Sequence, residues 1–168
     1  ELPPEVNIAI IEVARTAGVG IALHQIDNLR FESTDEQIKI INRNLPGELI
    51  RVEDSYSVLE ISPTVSFTLW GPHEILLDVQ QKIKALGLAV DMTFSGEVFL
   101  EVTNPGVSKG QALLILAQHL GIPNSRTAAI GDQFNDVSML QTAAVSIAMG
   151  NAPDDIKAVA QHIAPTNN

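Results

Sequence analysis

Apolar residues in the first part of the chain, residues 1–102, recur at helical spacing in some stretches and at strand spacing in others. Val6, Ile10 and Val13, for example, are spaced as on one side of a helix, and Gly18 ends that pattern. The pattern predicts helices over residues 6–17, 34–44 and 72–86, and strands over residues 19–25, 58–61, 65–70, 88–94 and 98–102. We therefore expect helices over one face of a mainly antiparallel sheet, with a hairpin turn at residues 95–97.

Three of these elements carry a more specific prediction. Thr34 and Gln37 have the spacing of a capping box at the start of the second helix. Strand 65–70 alternates between apolar positions, which should be buried, and the positions Ser66, Thr68 and Trp70, which should face solvent. The third helix should pack on the sheet through one apolar side formed by Ile75, Val79, Ile83 and Leu86.

The pattern changes to alternating helices and strands in residues 103–168. Ser108 is a suitable N-cap for a helix that carries Leu113, Leu116 and Leu120. A strand at 127–130, a helix containing Met139 and Leu140, a strand at 145–149 and a helix at 153–161 follow. Strand 127–130 is apolar without alternation, which predicts burial on both faces. This succession is typical of half of a doubly wound parallel sheet, so we predict an α/β protein with domains at residues 1–102 and 103–168.

The distribution of charge supports that division and limits the function. Residues 1–102 contain 7 basic and 16 acidic side chains, and residues 103–168 contain 3 and 4, which gives net charges of −9 and −1. A net charge of −10 argues against a nucleic-acid partner, because binding a phosphate backbone requires a basic surface. No apolar run is long enough to span a bilayer, and no signal peptide is recognisable, so no membrane partner is expected. The absence of cysteine excludes disulfides and thiolate chemistry and is consistent with a cytoplasmic protein.

Polar side chains follow the strand at 127–130, beginning directly after Gly131. Asp132, Asn135 and Asp136 can converge there if a helix starts at this point, and ligand sites of open α/β sheets lie at the carboxyl ends of strands. Helix capping by Asp132 or Asn135 is the simpler alternative. Capping does not account for two carboxylates that repel each other, whereas a bound hard cation such as Mg²⁺ does.

Two further residues are candidates for the same site. Lys109 lies in the first turn of its helix, where the helix dipole disfavours a cation, so it is either a solvated surface charge or a point charge for a phosphate or carboxylate. Asn151 follows the strand at 145–149 at the same edge of the sheet as Asp132. Capping of the helix that begins at Pro153 is the favoured interpretation of Asn151.

Three motifs together resemble a known family. The segments GVSKGQAL at 106–113, GDQFND at 131–136 and AMGNAP at 148–153 are similar, in order and spacing, to those of the Cof-type subfamily of haloacid dehalogenase-like (HAD) phosphatases. The resemblance implies that residues 1–102 form an α/β cap and that the rest forms the second half of a Rossmann-like core.

The resemblance also assigns roles to the candidate residues. It makes Asp132 a ligand of Mg²⁺, and Asp136 a carboxylate that ligates the metal or holds Lys109. Lys109 becomes a catalytic residue that neutralises the nucleophile and the phosphoryl group, and Asn135 binds phosphate or orients the site. Lys109 and Asn151 are the other phosphate-binding residues expected. The implied substrate is a small phosphorylated metabolite, with a sugar phosphate as one candidate.

One departure from the family pattern changes the expected activity. The DxDGT-like segment, which supplies the nucleophilic aspartate in this family, does not occur in the 168 residues. We therefore expect the chain to be inactive alone, because an aspartyl-phosphate cannot form without its aspartate. The open edge of strand 127–130 should pair with another copy or with a complementary amino-terminal fragment, or this region should rearrange. The alternative is a non-catalytic, truncated relative that binds a metabolite or a partner. Asp27, Ser95 and Glu97 are candidate substrate contacts or ordinary turn residues.

Overall fold

The computed structural model describes residues 1–41 and 50–166, which form two compact units, Glu1–Pro105 and Gly106–Asn168. The first unit contains the helices α1 (Pro4–Ala17), α2 (Asp35–Ile41) and α3 (His73–Ala85). Its strands are β1 (Gly20–Gln25), β2 (Leu29–Glu32), β3 (Ile50–Arg51), β4 (Thr64–Trp70), β5 (Asp91–Gly96) and β6 (Phe99–Thr103). They form one sheet in the order β3-β2-β1-β4-β6-β5, which is antiparallel except for the β2–β3 pair. The predicted α/β fold with a mainly antiparallel sheet is confirmed.

Local signals set the ends of the first two helices as predicted. Gly18 ends α1 in the left-handed conformation, with φ at +70°, which glycine adopts without strain. Both bonds of the capping box are present: the backbone N–H of Gln37 donates to Thr34 Oγ1, and that of Thr34 donates to Gln37 Oε1. The predicted end of this helix near residue 44 lies outside the described residues.

Both faces of the first sheet are covered in part, which contradicts the prediction for strand β4. The main core lies between α1, α3 and one face of the sheet, and its fully buried residues include Ile10, Ile11, Phe67, Leu69, Ile83 and Leu100. On the other face Trp70 is only 1% exposed, because Phe31 and Ile38 pack beside it and its indole N–H donates to the backbone oxygen of Gln37 in α2. Gly20 permits this packing, since a Cβ there would lie 2.1 Å from the Trp70 ring.

Other predictions for this unit need correction. The strand predicted at 58–61 is wrong, because Asp54 caps a short 3₁₀ helix at Ser55–Val58 and the chain then turns. The pattern misses β2 and β3. Helix α3 buries Val79 and Ile83 as predicted, but it buries Leu76 in place of Ile75, and Leu86 lies exposed just beyond its end. The hairpin turn falls at residues 97–98, because β5 extends to Gly96.

The second unit has the predicted alternation of helices and parallel strands. It contains α4 (Lys109–His119), β7 (Ala128–Gly131), α5 (Val137–Thr142), β8 (Val145–Ala148), α6 (Asp154–Val159) and a short β9 (His162–Ile163) that the sequence pattern misses. The strands form a parallel sheet in the order β7-β8-β9. The predicted burial of β7 on both faces is wrong, since Ala128 and Ile130 are exposed and β7 is an edge strand of this sheet. That this edge pairs with another chain remains a prediction, as does the identity of the two units as cap and core.

No helix within the described ranges, 1–41 and 50–166, is both long enough and apolar enough to cross a membrane.

Candidate active site

Asp136 is the central side chain of the turn that follows β7. Its carboxylate is 8% exposed, and Oδ2 accepts hydrogen bonds from the backbone N–H groups of Asp132 at 3.0 Å and Gln133 at 3.1 Å. Gly131 makes room for it, because a Cβ on Gly131 would lie 2.5 Å from the Cβ of Asp136. Residues 131–136 thus wrap around one buried carboxylate, and a side chain at Gly131 would displace it.

Lys109 reaches this carboxylate from the start of α4. Its Nζ lies 2.5 Å from Asp136 Oδ1 and 3.3 Å from the amide oxygen of Asn135. Helix α4 is anchored at the same end. The hydroxyl of Ser108 accepts the N–H of Gln111, as predicted for an N-cap, and the N–H of Gly110 donates to Ser138 Oγ of α5 at 3.1 Å. These contacts hold the ammonium group of the half-exposed Lys109 against the turn that follows β7.

The surroundings of Asp136 favour its ionised form. Burial raises the pKa of this carboxyl. The hydrogen bond from Lys109 and those from the backbone of Asp132 and Gln133 lower the pKa, and their combined effect is larger than that of burial. The net result is a pKa below the usual range of an Asp side chain. Asp136 is therefore a permanent negative charge that holds Lys109 in place at neutral pH.

Asp132 lies beside Asn151, and neither residue caps a helix. The amide Nδ2 of Asn151 donates to Asp132 Oδ2 at 3.2 Å, which joins the turn after β7 to the turn after β8. The N-cap of α6 is Pro153, so the favoured interpretation of Asn151 as a cap is wrong. Capping by Asp132 or Asn135 is also wrong, because the 3₁₀ turn at Phe134–Asp136 is closed by reciprocal bonds between Gln133 and Asp136.

All five predicted site residues therefore lie in one hydrogen-bonded group at the carboxyl ends of β7 and β8. They are Lys109, Asp132, Asn135, Asp136 and Asn151. The sequence analysis missed Ser138, which fixes the start of α4, and Gln133, which closes the turn. No spacing rule identifies a contact such as Gly110–Ser138, because it joins two helices separated by a strand.

The donor atoms fit Mg²⁺ through Asp132 better than through Asp136. Both oxygens of Asp136 already accept hydrogen bonds, whereas Asp132 Oδ1 has no partner among the described residues. The part of the chain that the structure describes holds no group of three or more acidic or histidine side chains arranged for a metal. Mg²⁺ commonly uses one or two carboxylates together with water and substrate phosphate oxygens. The residues present are thus compatible with Mg²⁺ held by Asp132 and a phosphorylated ligand.

Two curated phosphatases are similar to this chain in sequence, and a solved phosphatase structure is similar to it in fold. Phosphatase YwpJ of Bacillus subtilis is 48% identical over 82 residues, which cover 48% of this chain and 29% of that protein. The HMP-PP phosphatase of Serratia proteamaculans is 40% identical over 90 residues, which cover 53% of this chain and 33% of that protein. A solved HAD subclass IIB sugar phosphatase superimposes with a TM-score of 0.82 at 25% identity, over 98% of this chain and 62% of its own.

The matched regions span about a third or less of these two curated relatives and under two thirds of the solved structure. The model of the haloacid dehalogenase-like hydrolase family nevertheless matches all of residues 1–168. The fold, the clustered motif residues and this match agree, and the chain belongs to the haloacid dehalogenase-like hydrolase family.

Proposed function

We propose that this chain provides the lysine and magnesium side of a phosphatase site that acts on a small phosphorylated metabolite. The contact between Lys109 Nζ and Asp136, with the amide of Asn135 beside it and the carboxylate of Asp132 nearby, is the observation that carries the proposal. Phosphoryl transfer depends mostly on positioning and on stabilising negative charge, and a fixed ammonium group supplies both.

Each side chain then has a distinct part in binding a phosphoryl group. Lys109 presents its positive charge to the phosphate oxygens, and Asp136 fixes the direction of the lysine. Asn135 has amide hydrogens that can donate to a phosphate oxygen, since its amide oxygen is the atom directed at Lys109. Asn151 orients the carboxylate of Asp132. Mg²⁺ bound by Asp132 would neutralise part of the negative charge of the phosphate.

The charges of the chain's own residues explain why a cation is needed. Lys109 contributes one positive charge, and Asp132 and Asp136 contribute two negative charges, so these residues together repel a phosphate dianion. A bound divalent cation makes the net charge of this group positive, so that it attracts the phosphate. Mg²⁺ alone should bind weakly, because Asp132 offers a single carboxylate, and phosphate and Mg²⁺ should therefore bind more tightly together than either does alone.

The test is a titration of the 168-residue chain with inorganic phosphate, followed by amide NMR signals. We expect phosphate to shift the signals of Lys109, Asp132 and Asn135 when millimolar Mg²⁺ is present, and to shift them much less in its absence. Equal phosphate affinity with and without Mg²⁺, or shifts confined to residues 1–105, would contradict the proposed site.

The 168 residues contain no DxDGT-like segment, and we propose that none of their aspartates is the nucleophile of the reaction. We propose that residues outside this sequence supply it. The chain alone is then expected to show no hydrolysis of p-nitrophenyl phosphate above the buffer rate, with or without Mg²⁺. Turnover that disappears in the Asp132→Ala variant would refute this expectation, since it would show a complete active site within the chain.

A further inference from the structure

A row of hydrogen-bonded polar side chains crosses the sheet of the first unit. His24 of β1, Thr68 of β4, Glu101 of β6 and Ser95 of β5 lie on four neighbouring strands. His24 Nε2 is 2.8 Å from Thr68 Oγ1, which is 2.7 Å from Glu101 Oε2, and Ser95 Oγ is 2.8 Å from Glu101 Oε1. Thr68 and Glu101 alternate with buried core residues of their strands, so the row lies on the face opposite α1 and α3.

The positions of the hydrogens in this row follow from its chemistry. The carboxylate of Glu101 can only accept, so the hydroxyls of Thr68 and Ser95 both donate to it. Thr68 has then used its only hydrogen, and the contact with His24 requires that His24 Nε2–H donates to Thr68. Burial lowers the pKa of His24, against an opposing effect of the charge on Glu101, which is consistent with a neutral ring whose Nδ1 carries a lone pair.

The remaining hydrogen-bonding capacity of the row is therefore all of one kind. Every polar hydrogen of the four side chains is already donated within the row. The atoms left over are acceptors: His24 Nδ1, the hydroxyl oxygen of Ser95 and the remaining lone pairs of the Glu101 carboxylate. A ligand that satisfies these atoms must bring several hydrogen-bond donors.

The charge of the row points to a positively charged donor. The other partly buried carboxylate in the described part of this unit, that of Glu32, has an arginine partner, since it pairs with Arg15 at 2.6 Å. Even the exposed carboxylate of Asp27 pairs with an arginine, Arg30, at 2.9 Å. Glu101 has no lysine or arginine partner within residues 1–41 and 50–166. His24, Ser95 and Glu101 are partly exposed, so a ligand can reach them from solvent.

We propose that the His24–Thr68–Glu101–Ser95 row is a binding site for the primary ammonium group of a small organic amine. An ammonium group has three donors, no acceptor and a compact positive charge, which matches the acceptors and the unpaired carboxylate of the row. This site lies wholly within the first unit, and it does not depend on the phosphatase chemistry proposed for the second.

Three small hydroxyl-bearing probes separate the features of the proposed ligand. Ethanolamine carries an ammonium group, ethylene glycol replaces it with a neutral hydroxyl, and choline keeps the positive charge without N–H donors. In amide NMR titrations of the 168-residue chain near neutral pH, we expect ethanolamine to shift the signals of Thr68, Ser95 and Glu101 saturably. The affinities for ethylene glycol and for choline should be at least about tenfold lower than that for ethanolamine. Equal binding of either probe, or the same shifts with MgCl₂, would overturn the assignment to an ammonium group.

A matched pair of variants tests whether the carboxylate of the row is the binding group. Glu101→Gln removes its charge but keeps its size, and should weaken ethanolamine binding about tenfold, because a charge-assisted hydrogen bond is lost. Glu74→Gln removes the same charge from an exposed position of α3, on the other face of the sheet, and should change the affinity less than about twofold. Equal weakening by both variants, or no effect of Glu101→Gln, would overturn the proposal. The comparison of the three probes on the unmodified chain needs no variant and stands even if Glu101→Gln disturbs the fold.

Discussion

Asp136→Ala is expected to lower the free energy of unfolding of the second unit by about 3 kcal/mol at neutral pH. The substitution leaves the backbone N–H groups of Asp132 and Gln133 without their acceptor and removes the partner of Lys109. A buried donor that loses its acceptor costs about 1–3 kcal/mol, because the group gives up its bonds to water without replacement. The half-exposed Lys109 recovers its solvation and adds little to this cost.

Native-state hydrogen exchange of the β7 and β8 amides would measure this loss. The single tryptophan, Trp70, belongs to the first unit, so its fluorescence does not report directly on the second. Asp154→Ala is the matched control, because its side chain is fully exposed and its ion pair with Lys157 is long, at 3.7 Å. It should lower the free energy of unfolding much less than Asp136→Ala does. A loss for Asp136→Ala no larger than that of the control would mean that the turn does not depend on this carboxylate.

The pH dependence of the difference in free energy of unfolding between the unmodified chain and Asp136→Ala is a second test of the role of this carboxylate. The pKa of Asp136 is lowered in the folded protein, so its ionised form contributes stability that is complete above the unfolded value, about 3.9. That contribution disappears as the pH falls through the lower, folded value. The difference between the unmodified chain and Asp136→Ala should therefore be constant from pH 6 to pH 8 and shrink below about pH 4. A difference that grew with acidification would contradict the ionised state of Asp136.

The parts of the fold that could be predicted from sequence are those set by local contacts. Gly18 and the Thr34–Gln37 box act within one or two helical turns, and both are found as predicted. Strand β2 is missed because it has only four residues, which is too short for its alternation of apolar and polar positions to stand out. The sequence pattern also does not predict that Arg30 is buried, which pairing with Asp27 and Gln25 allows. Contacts distant in sequence, such as that of Trp70 with α2, leave no periodic signal.

The same distinction applies to the site. The grouping of Asp132, Asn135 and Asp136 could be predicted because it depends on a few residues after one strand. The contact of Lys109 with Asp136 spans 27 residues, and only the resemblance to a family implied it. The hydrogen bond between Asn151 and Asp132 could not be inferred from the sequence. An asparagine just before a helix can cap that helix or donate to a nearby carboxylate, and the sequence does not distinguish the two roles.

Lys109→Met is expected to weaken the binding of inorganic phosphate, measured with Mg²⁺ present, by about 30-fold, which corresponds to about 2 kcal/mol. This expectation rests on the proposed function. Methionine keeps most of the length and the apolar stem of lysine but removes the ammonium group that faces Asn135 and Asp136. The remaining side-chain charges, those of Asp132 and Asp136, are both negative and offset the charge of Mg²⁺, so the loss includes reduced attraction of the phosphate as well as the missing hydrogen bond.

Lys157→Met is the matched control for this measurement. Lys157 belongs to α6 of the same unit and pairs only loosely with Asp154, so the control removes an equal charge away from the turn after β7. It should change phosphate affinity less than about twofold, because separated surface charges are screened by salt. Calorimetry or amide NMR shifts give both affinities, and hydrogen exchange shows whether either variant loosens the second unit. Equal weakening by the two variants would assign phosphate binding to the general charge of the surface, whereas the expected contrast ties it to the ammonium group that Asp136 holds at the end of β7.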